Sequence, residues 1–310
     1  MTFEPIFQER IWGGRRLKEL FGKALPTGIP IGESWELADL PNGQSVVANG
    51  PLKGQTLRAV MEKFSTEIIG KPDSKSPFPL LIKLLDAEDV LSVQVHPDAQ
   101  TCRKMGKGEP KTECWYILAA APGAAIYKGL APGTTRQAFQ EAVRNGTCAE
   151  MLQRVPVEVG QCHFLPSGTC HAIGKGLVIA EIQQPSDTTY RVFDWDRVDA
   201  KTGLPRQLHI DEAIESIHFD DDSTPAATTV GRLVDAPEFK VDKGHQIPGC
   251  EVLLDCGRMR VLVILSGSGH VLSKTAEAVG FRAGQTLLIP AACESVMQFG
   301  QDCEYLAVTV

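Results

Sequence analysis

The stretch 159-VGQCHFLPSGTCHAIGKGLVIAEIQQPSDTTYRVFDWDR-197 decides the fold. Pro166-Ser167-Gly168 is a tight turn, and His171 follows at once. A second turn, Gly174-Lys175-Gly176, leads into the apolar run 177–180. The run ends in Glu181, Gln183, Gln184, Asp187 and Arg191. Glycine and proline around short apolar runs mark β-strands joined by tight turns. Polar side chains gathered where such strands open read as a binding site. A metal ligand, an acid and a base could all come from these few strands.

Two upstream segments repeat the pattern. In LSVQVHPD, residues 91–98, Val93 and Val95 fall on one face of a strand and Gln94 and His96 on the other. Polar residues facing inward need partners, so Gln94 and His96 together point to one cation more strongly than a lone histidine does. In KTECWYIL, residues 111–118, Lys111, Glu113 and Trp115 share a face. The plainer reading of Lys111 and Glu113 is an exposed ion pair at a strand end. Further back, residues 80–85 form an apolar strand with a single lysine, Lys83. Residues 56–69 have helical spacing, and 32–37 alternate as a half-buried strand does. Asn42-Gly43 signals a hairpin, and a helical patch lies at 16–21.

Downstream, residues 134–153 read as a short helical insertion broken at Asn145-Gly146. Residues 200–205 form a turn, 209–217 a short helix, and 220–229 an acidic, small-residue linker. From residue 230 the β pattern returns, with strand candidates at 250–256, 259–265, 267–272, 281–289 and 305–310. Gly284-Gln285 and Pro290 mark turns. Regular short strands with such turns suggest a β-sandwich or jelly roll. FLPSGTCHAIGKG and LLIPAACESVMQFG share a plan of apolar run, proline, small residues and a polar one, which suggests an internal duplication. The second copy has Cys293-Glu294-Ser295 where the first has Cys170-His171-Ala172. Its strands carry no Q-x-H pair, and His270 there stands alone as a structural residue.

Composition narrows the classes. A chain of 310 residues with 43% hydrophobic and 22% charged residues is an ordinary globular one. The net charge of −7 argues against nucleic acid and anionic membranes as partners. No apolar run has the roughly 18 residues of a membrane helix. The opening MTFEPIFQERIWGG lacks the apolar core of a signal peptide, so a cytoplasmic location is expected. Nine scattered cysteines without a CxxC pair are expected to be free thiols.

As a set, IWGG, GESWELAD, FPLLIKLLDAEDVLSVQVHPD, KTECWYIL, LPSGTCHAIGKG and EIQQPSDTTYRVFDWDR resemble the type I phosphomannose isomerases of the cupin superfamily, in their short bacterial form. These motifs cover most of residues 10–200; beyond about 225 the likeness is loose. The resemblance implies a mainly β chain of two cupin-like jelly-roll barrels. Residues 1–224 form the catalytic domain with the helical insertion, and 225–310 a second, metal-free domain. It implies one zinc ion held by Gln94, His96, Glu113 and His171. Lys111, Glu181 and Arg191 then have active-site roles, with Ser92 and Arg197 near a phosphate. The implied reaction interconverts mannose 6-phosphate and fructose 6-phosphate through an enediol, in a monomer or homodimer. His163 departs from the pattern, since an aromatic residue is expected there.

The chemistry agrees. Two imidazoles, a carboxylate and a carboxamide suit zinc, and would also accept manganese, cobalt or iron(II). A Lewis acid stabilises enediolate oxygens, while Lys111 or Glu181 shuttles the proton. Arg191 is a poor base and is assigned to charge stabilisation. Arg197 lies six residues on, about 20 Å away in one extended strand at roughly 3.3 Å per residue. Separate work is therefore expected, with Arg191 near the enediolate and Arg197 near the phosphate. The plainer alternative pairs Arg197 with Asp194 or Asp196. Because fold alone proves no activity, a sugar-phosphate-binding cupin without catalysis and another metal-dependent cupin enzyme are the competing readings.

Overall fold

The computed structural model describes residues 1–71, 77–199, 202–220, 225–274 and 276–310. The chain is mainly β, as expected, and its principal strands lie in four antiparallel sheets. Before residue 200 there is a six-stranded sheet containing Ile6–Gly14, Ile31–Leu37, Leu81–Ala87, Glu113–Ala120, Cys162–Leu165 and Leu177–Gln183. Its companion has five strands, including Val93–Val95, His171–Ile173 and Tyr190–Phe193. After residue 230 come a second five-stranded sheet and a four-stranded one. None of these four sheets mixes described strands from the two halves.

Side-chain alternation explains how the sheets stack. Leu85, Trp115, Ile117, Ile173 and Ile179 form a core between the first two sheets. On the opposite face of the six-stranded sheet, Leu84, Cys114, Tyr116, Val178 and Ile182 pack with Val241, Val261, Leu288 and Leu306 of the second half. The halves therefore share one core, into which the helices Arg16–Phe21 and Leu57–Ile69 also insert Leu17, Val60 and Met61. The last two sheets enclose Leu262, Ile264, Phe281, Leu287, Met297 and Phe299.

Local chemistry sets the element ends. Thr56 caps Leu57–Ile69 by accepting from Ala59 N at 3.2 Å, and Asp98 caps Ala99–Met105 by accepting from Thr101 N at 2.6 Å. Both are the short polar residues that satisfy free helical N–H groups. The expected insertion resolves into the helix Arg136–Arg144, a 3-10 turn Cys148–Met151 and a strand from Leu152. With the helix Ile210–Ser216 it covers the outer face of the first five-stranded sheet, through Phe139, Ala142, Ala213 and Ile214.

Several expectations need adjustment. The strand Ile31–Leu37 is buried throughout and not by halves, because sheets or helices cover both its faces. The candidate 281–289 divides at Gly284 into Val279–Arg282 and Thr286–Ile289, which join different sheets. Four strands carried too weak a pattern to be read: Ile6–Gly14, Arg232–Asp235, Lys240–Gln246 and Ser295–Phe299. Lys111 and Glu113 are buried and do not form an exposed pair. His270 lies on the strand Ser268–Ser273 but is exposed, so its side chain is not part of the core. Parts of the expected turn at 200–205 and linker at 220–229 lie outside the described residues. All nine cysteines are free.

Candidate metal centre and substrate pocket

Strand register brings the polar residues together before any side chain is considered. In the first five-stranded sheet, Lys128, His171, Gln94 and Arg191 are successive cross-strand partners. In the facing six-stranded sheet the corresponding row is Trp35, Lys83, Glu181 and Trp115, and Glu113 pairs with Gln183 one step along. Direct partners in antiparallel strands share a face, so the two rows look at each other across the gap. His96 ends the first row's central strand on the same side as Gln94. The turn before His171 is tied to it, since Gly168 N donates to His96 O at 2.8 Å. Gly168 has φ +89°, and a β-carbon there would strike the His218 ring at 2.5 Å, so glycine is needed at this turn.

His96, Glu113 and His171 converge. Each offers a ligand atom, all within 4.8 Å of one another. Glu113 Oε2 is 3.4 Å from His96 Nε2, and Glu113 Oε1 is 3.5 Å from His171 Nε2. The carbonyls of Thr188 and Thr169 lie 2.9 Å and 2.8 Å from the Nδ1 atoms of His96 and His171. Each Nδ1 then carries the proton, and each Nε2 turns a lone pair into the centre. His96 Nε2 and both Glu113 oxygens have no hydrogen-bond partner. Lys111 Nζ stands 2.9 Å from Glu113 Oε2 as an ion pair, off the direction of a hydrogen bond.

Burial dominates the titration of these groups. It lowers the pKa of His96 to about 4, with Lys111's charge adding to the effect, and lowers that of His171 as well. Burial alone would raise Glu113, but Lys111 and the histidines outweigh it and hold the carboxyl well below its usual range. At neutral pH the centre therefore presents two neutral imidazoles and a carboxylate, with His96 Nε2 and both Glu113 oxygens unsatisfied. Bare buried acceptors of this kind are costly, and a divalent cation satisfies them together. Gln94 completes the set only with its amide reversed. As placed, its Oε1 accepts from Ser92 Oγ at 3.3 Å and its Nε2 faces His171 Nε2 at 3.3 Å.

Beside this centre lies a pocket of about 440 Å³, walled among others by Arg10, Glu33, Lys83, Lys111, Glu181, Arg191 and Arg206. Glu181 is held from both neighbouring strands, by Lys83 Nζ at 2.9 Å and Trp115 Nε1 at 3.1 Å. Burial works against the charge of Lys83, yet Glu181 and Glu33 outweigh it and raise the pKa. Glu33, between Arg10 and Trp35, titrates at about 2; burial raises it, but Lys83 and Arg10 win. Arg191 Nε donates to Ser92 Oγ at 3.2 Å. Its pKa is lowered by burial and by the nearby charge of Arg206.

The structure thus brings Ser92, Gln94, His96, Lys111, Glu113, His171, Glu181 and Arg191 together. It does not bring Arg197 to the pocket wall. The chain bends at Trp195 and Asp196, with φ of 57° and 53°, and returns Arg197 onto Asp194 and the carbonyl of Val90. Asp194 also grips Arg206, with Nε to Oδ2 at 2.7 Å. Sequence reading missed Arg10, Glu33, Lys83 and Arg206. Lys83 had a signal, as the one charge in an apolar strand. Arg206 had none, because only the chain bend brings it here.

Fold and site together define a mainly β, cupin-type protein with a buried His/Glu/His metal centre beside a cation-lined pocket. Residues 1–125 match the family model of the type I phosphomannose isomerase catalytic domain. The chain is 40% identical over 300 residues to a probable mannose-6-phosphate isomerase, GmuF, of Bacillus subtilis, covering 94% of this chain and 93% of that one. It is 39% identical over 318 residues to the mannose-6-phosphate isomerase of Streptococcus mutans, covering 98% of each. The crystal structure of a mannose 6-phosphate isomerase from Bacillus subtilis superposes with a TM-score of 0.88 at 31% identity, covering 100% of this chain and 99% of that one. The chain belongs to the type I mannose-6-phosphate isomerase family.

Proposed function

We propose that this chain interconverts mannose 6-phosphate and fructose 6-phosphate as a metal-dependent aldose–ketose isomerase, with zinc as the ion. The observation that carries the reading is the trio His96, Glu113 and His171, buried, with His96 Nε2 and both Glu113 oxygens unpaired, at the edge of a pocket lined with arginine and lysine. His96, Glu113 and His171 would hold the ion, with Gln94 joining after reversal of its amide. The bound ion supplies Lewis-acid stabilisation of charge developing on the sugar oxygens.

The chain's own residues do the rest. Lys111 and Glu181 flank the centre and are assigned the proton transfer between C1 and C2 of the sugar. Lys83 and Trp115 fix the Glu181 carboxylate from two sides, so its orientation is set before substrate arrives. Arg191, held by Ser92, stabilises negative charge next to the reacting carbons. Arg206 is assigned the phosphate, with Asp194 orienting it. Arg197 acts through that same aspartate and not on the phosphate directly. A cluster of arginines around one aspartate is what an anionic substrate requires in a chain of net charge −7.

We further propose a division near residue 224. Residues 1–224 carry the centre, and 225–310 stack against them without metal. A cytoplasmic location accords with the absence of any described helix long and apolar enough to cross a membrane. The deciding test is turnover of mannose 6-phosphate with metal analysis of the same sample. Activity should disappear on chelation and return with zinc. Full activity in metal-free protein would refute the reading.

A further inference from the structure

A second cavity lies at the seam between the two halves, away from the metal centre. It measures about 420 Å³, close to the substrate pocket. Its walls include Phe3, Phe7, Phe21, Lys23 and Glu36 from the first half and Thr286 from the second. Lys23 Nζ and Glu36 Oε1 pair at 2.7 Å, with side chains only 9% and 6% exposed. Ser34 Oγ donates to the same carboxylate oxygen. The Thr286 hydroxyl is buried without a hydrogen-bond partner. Each phenylalanine packs on the shared core yet stays only partly buried.

We propose that this seam cavity is a binding site for a small neutral polyhydroxylated molecule of hexose size. Volume and lining fit a small-ligand site, with apolar walls and a few convergent polar groups. Charge selects the class. The wall carries two cations, Lys23 and Arg282, and two carboxylates, Glu4 and Glu36, so its charges balance and no net positive charge favours a phosphate. A carboxylate, an ammonium and a hydroxyl in one wall are acceptors and donors for sugar hydroxyls, and the three phenylalanines give that wall apolar surface for the C–H side of a sugar ring.

The cavity is also placed to be felt elsewhere. The strand Ile31–Leu37 points Ser34 and Glu36 toward the seam and Glu33 and Trp35 toward the substrate pocket. Beside the cavity, Gly284 touches Phe21 so closely that a β-carbon there would lie 2.4 Å from Phe21 Cβ. The seam at this point has no slack, so a bound molecule would brace both halves at once.

The test is calorimetric titration of the full chain with D-mannose, D-glucose and glycine at up to about 10 mM, the weak end of small-ligand affinity. A hexose should bind saturably. Thr286→Val should weaken it roughly 2- to 10-fold, the worth of one neutral hydrogen bond. Glu36→Gln should weaken it about 10- to 100-fold. Arg191→Ala, in the other pocket beside the sugar carbons, should leave this binding alone. Thr286→Val removes an unsatisfied buried hydroxyl and should fold, which keeps the test decisive even if Glu36→Gln does not. No saturable hexose binding would overturn the proposal. So would binding of glycine alone, or hexose binding that responds to Arg191→Ala and not to Thr286→Val. None of these outcomes bears on the isomerase reading, which turnover decides separately.

Discussion

The two halves build the same kind of sheet pair and fill it differently. In the first, a proline turn at Pro166 carries the chain from Cys162–Leu165 in one sheet to His171–Ile173 in the other. In the second, Pro290 carries it from Thr286–Ile289 to Ser295–Phe299, again across sheets. After the first turn stands His171, buried and facing the centre. After the second stand Glu294, exposed, and Ser295, buried with its hydroxyl unpaired. Between the first sheets lie His96, Glu113, Lys83 and Glu181; between the second lie leucine, isoleucine, phenylalanine and methionine. An apolar interior is held by burial alone. An ionic one is stable only while every charge has a partner. The second half can therefore serve as a support, while the first depends on a cation.

The largest effect expected from this contrast is on metal and turnover. His171→Ala removes a ligand from the ionic interior. It should cost more metal affinity than the roughly 10- to 100-fold seen when outer-shell partners are lost, and turnover should vanish with the metal. His270→Ala, on an exposed strand position of the second half, should change neither. Metal content and activity of the two purified variants decide the matter. Loss of metal in the His270 variant would end the division of labour.

Next in size is the apolar interior itself. Phe281 is 3% exposed and packs edge-on to Phe299 with ring centres 5.9 Å apart. Phe281→Ala should lower unfolding stability by about 3–5 kcal/mol. The kcat/KM of the molecules that remain folded should be unchanged. A tenfold fall in kcat/KM under conditions where the variant is fully folded would mean that the second half does more than support the first.

A smaller effect separates the arginines. Removing one charged hydrogen bond to a phosphate costs about 1.5–3 kcal/mol. Arg206→Ala should therefore raise KM roughly 10- to 100-fold while sparing kcat. Arg191→Ala should mainly lower kcat. Arg197→Ala should raise KM less than Arg206→Ala does, since it acts only through Asp194. Steady-state kinetics on the three variants would return the phosphate to Arg197 if the order of the two KM effects were reversed.

Parity made only the Gln94 and His96 pair legible from the residues; Glu113, whose own pattern reads as an exposed pair with Lys111, joined the set through the family resemblance. Gln94 and His96 must share a face, and turn signals fix where His171 begins. The six-residue spacing of Arg191 and Arg197 allowed either a bend between them or separate work, and the structure has the bend, with two non-glycine residues at positive φ. What the bend does to Arg197 was open. The competition between Asp194 and a phosphate is decided by contacts across distant parts of the chain. Arg10, Glu33 and Arg206 reach the pocket by strand register and a loop, neither of which leaves a periodic trace. Lys240–Gln246 went unread for a related reason: as KVDKGHQ it is too polar to look like a strand, and it is held by seven register pairs to Cys303–Thr309.

The smallest effect concerns acid. His163, where the family resemblance implies an aromatic residue, is 2% exposed between the first two sheets, next to Gln161 at 3.2 Å. Burial lowers its pKa to about 4, helped by the charge of Lys128. In the unfolded chain its pKa is about 6.5. Between those values the unfolded chain binds a proton that the folded one refuses, so stability falls as pH drops from about 6.5 to about 4. The slope for one such group is about 1.4 kcal/mol per pH unit. His96 adds a similar slope in metal-free protein, whereas among the described residues the interior of the second half contributes no imidazole or carboxylate. His163→Phe should flatten one group's share of the slope and leave neutral-pH activity intact. Urea midpoints measured at steps from pH 7 to pH 4 for wild type and His163→Phe test this. Parallel curves would show that water reaches His163 in the folded state and that the first interior is less closed than its burial suggests.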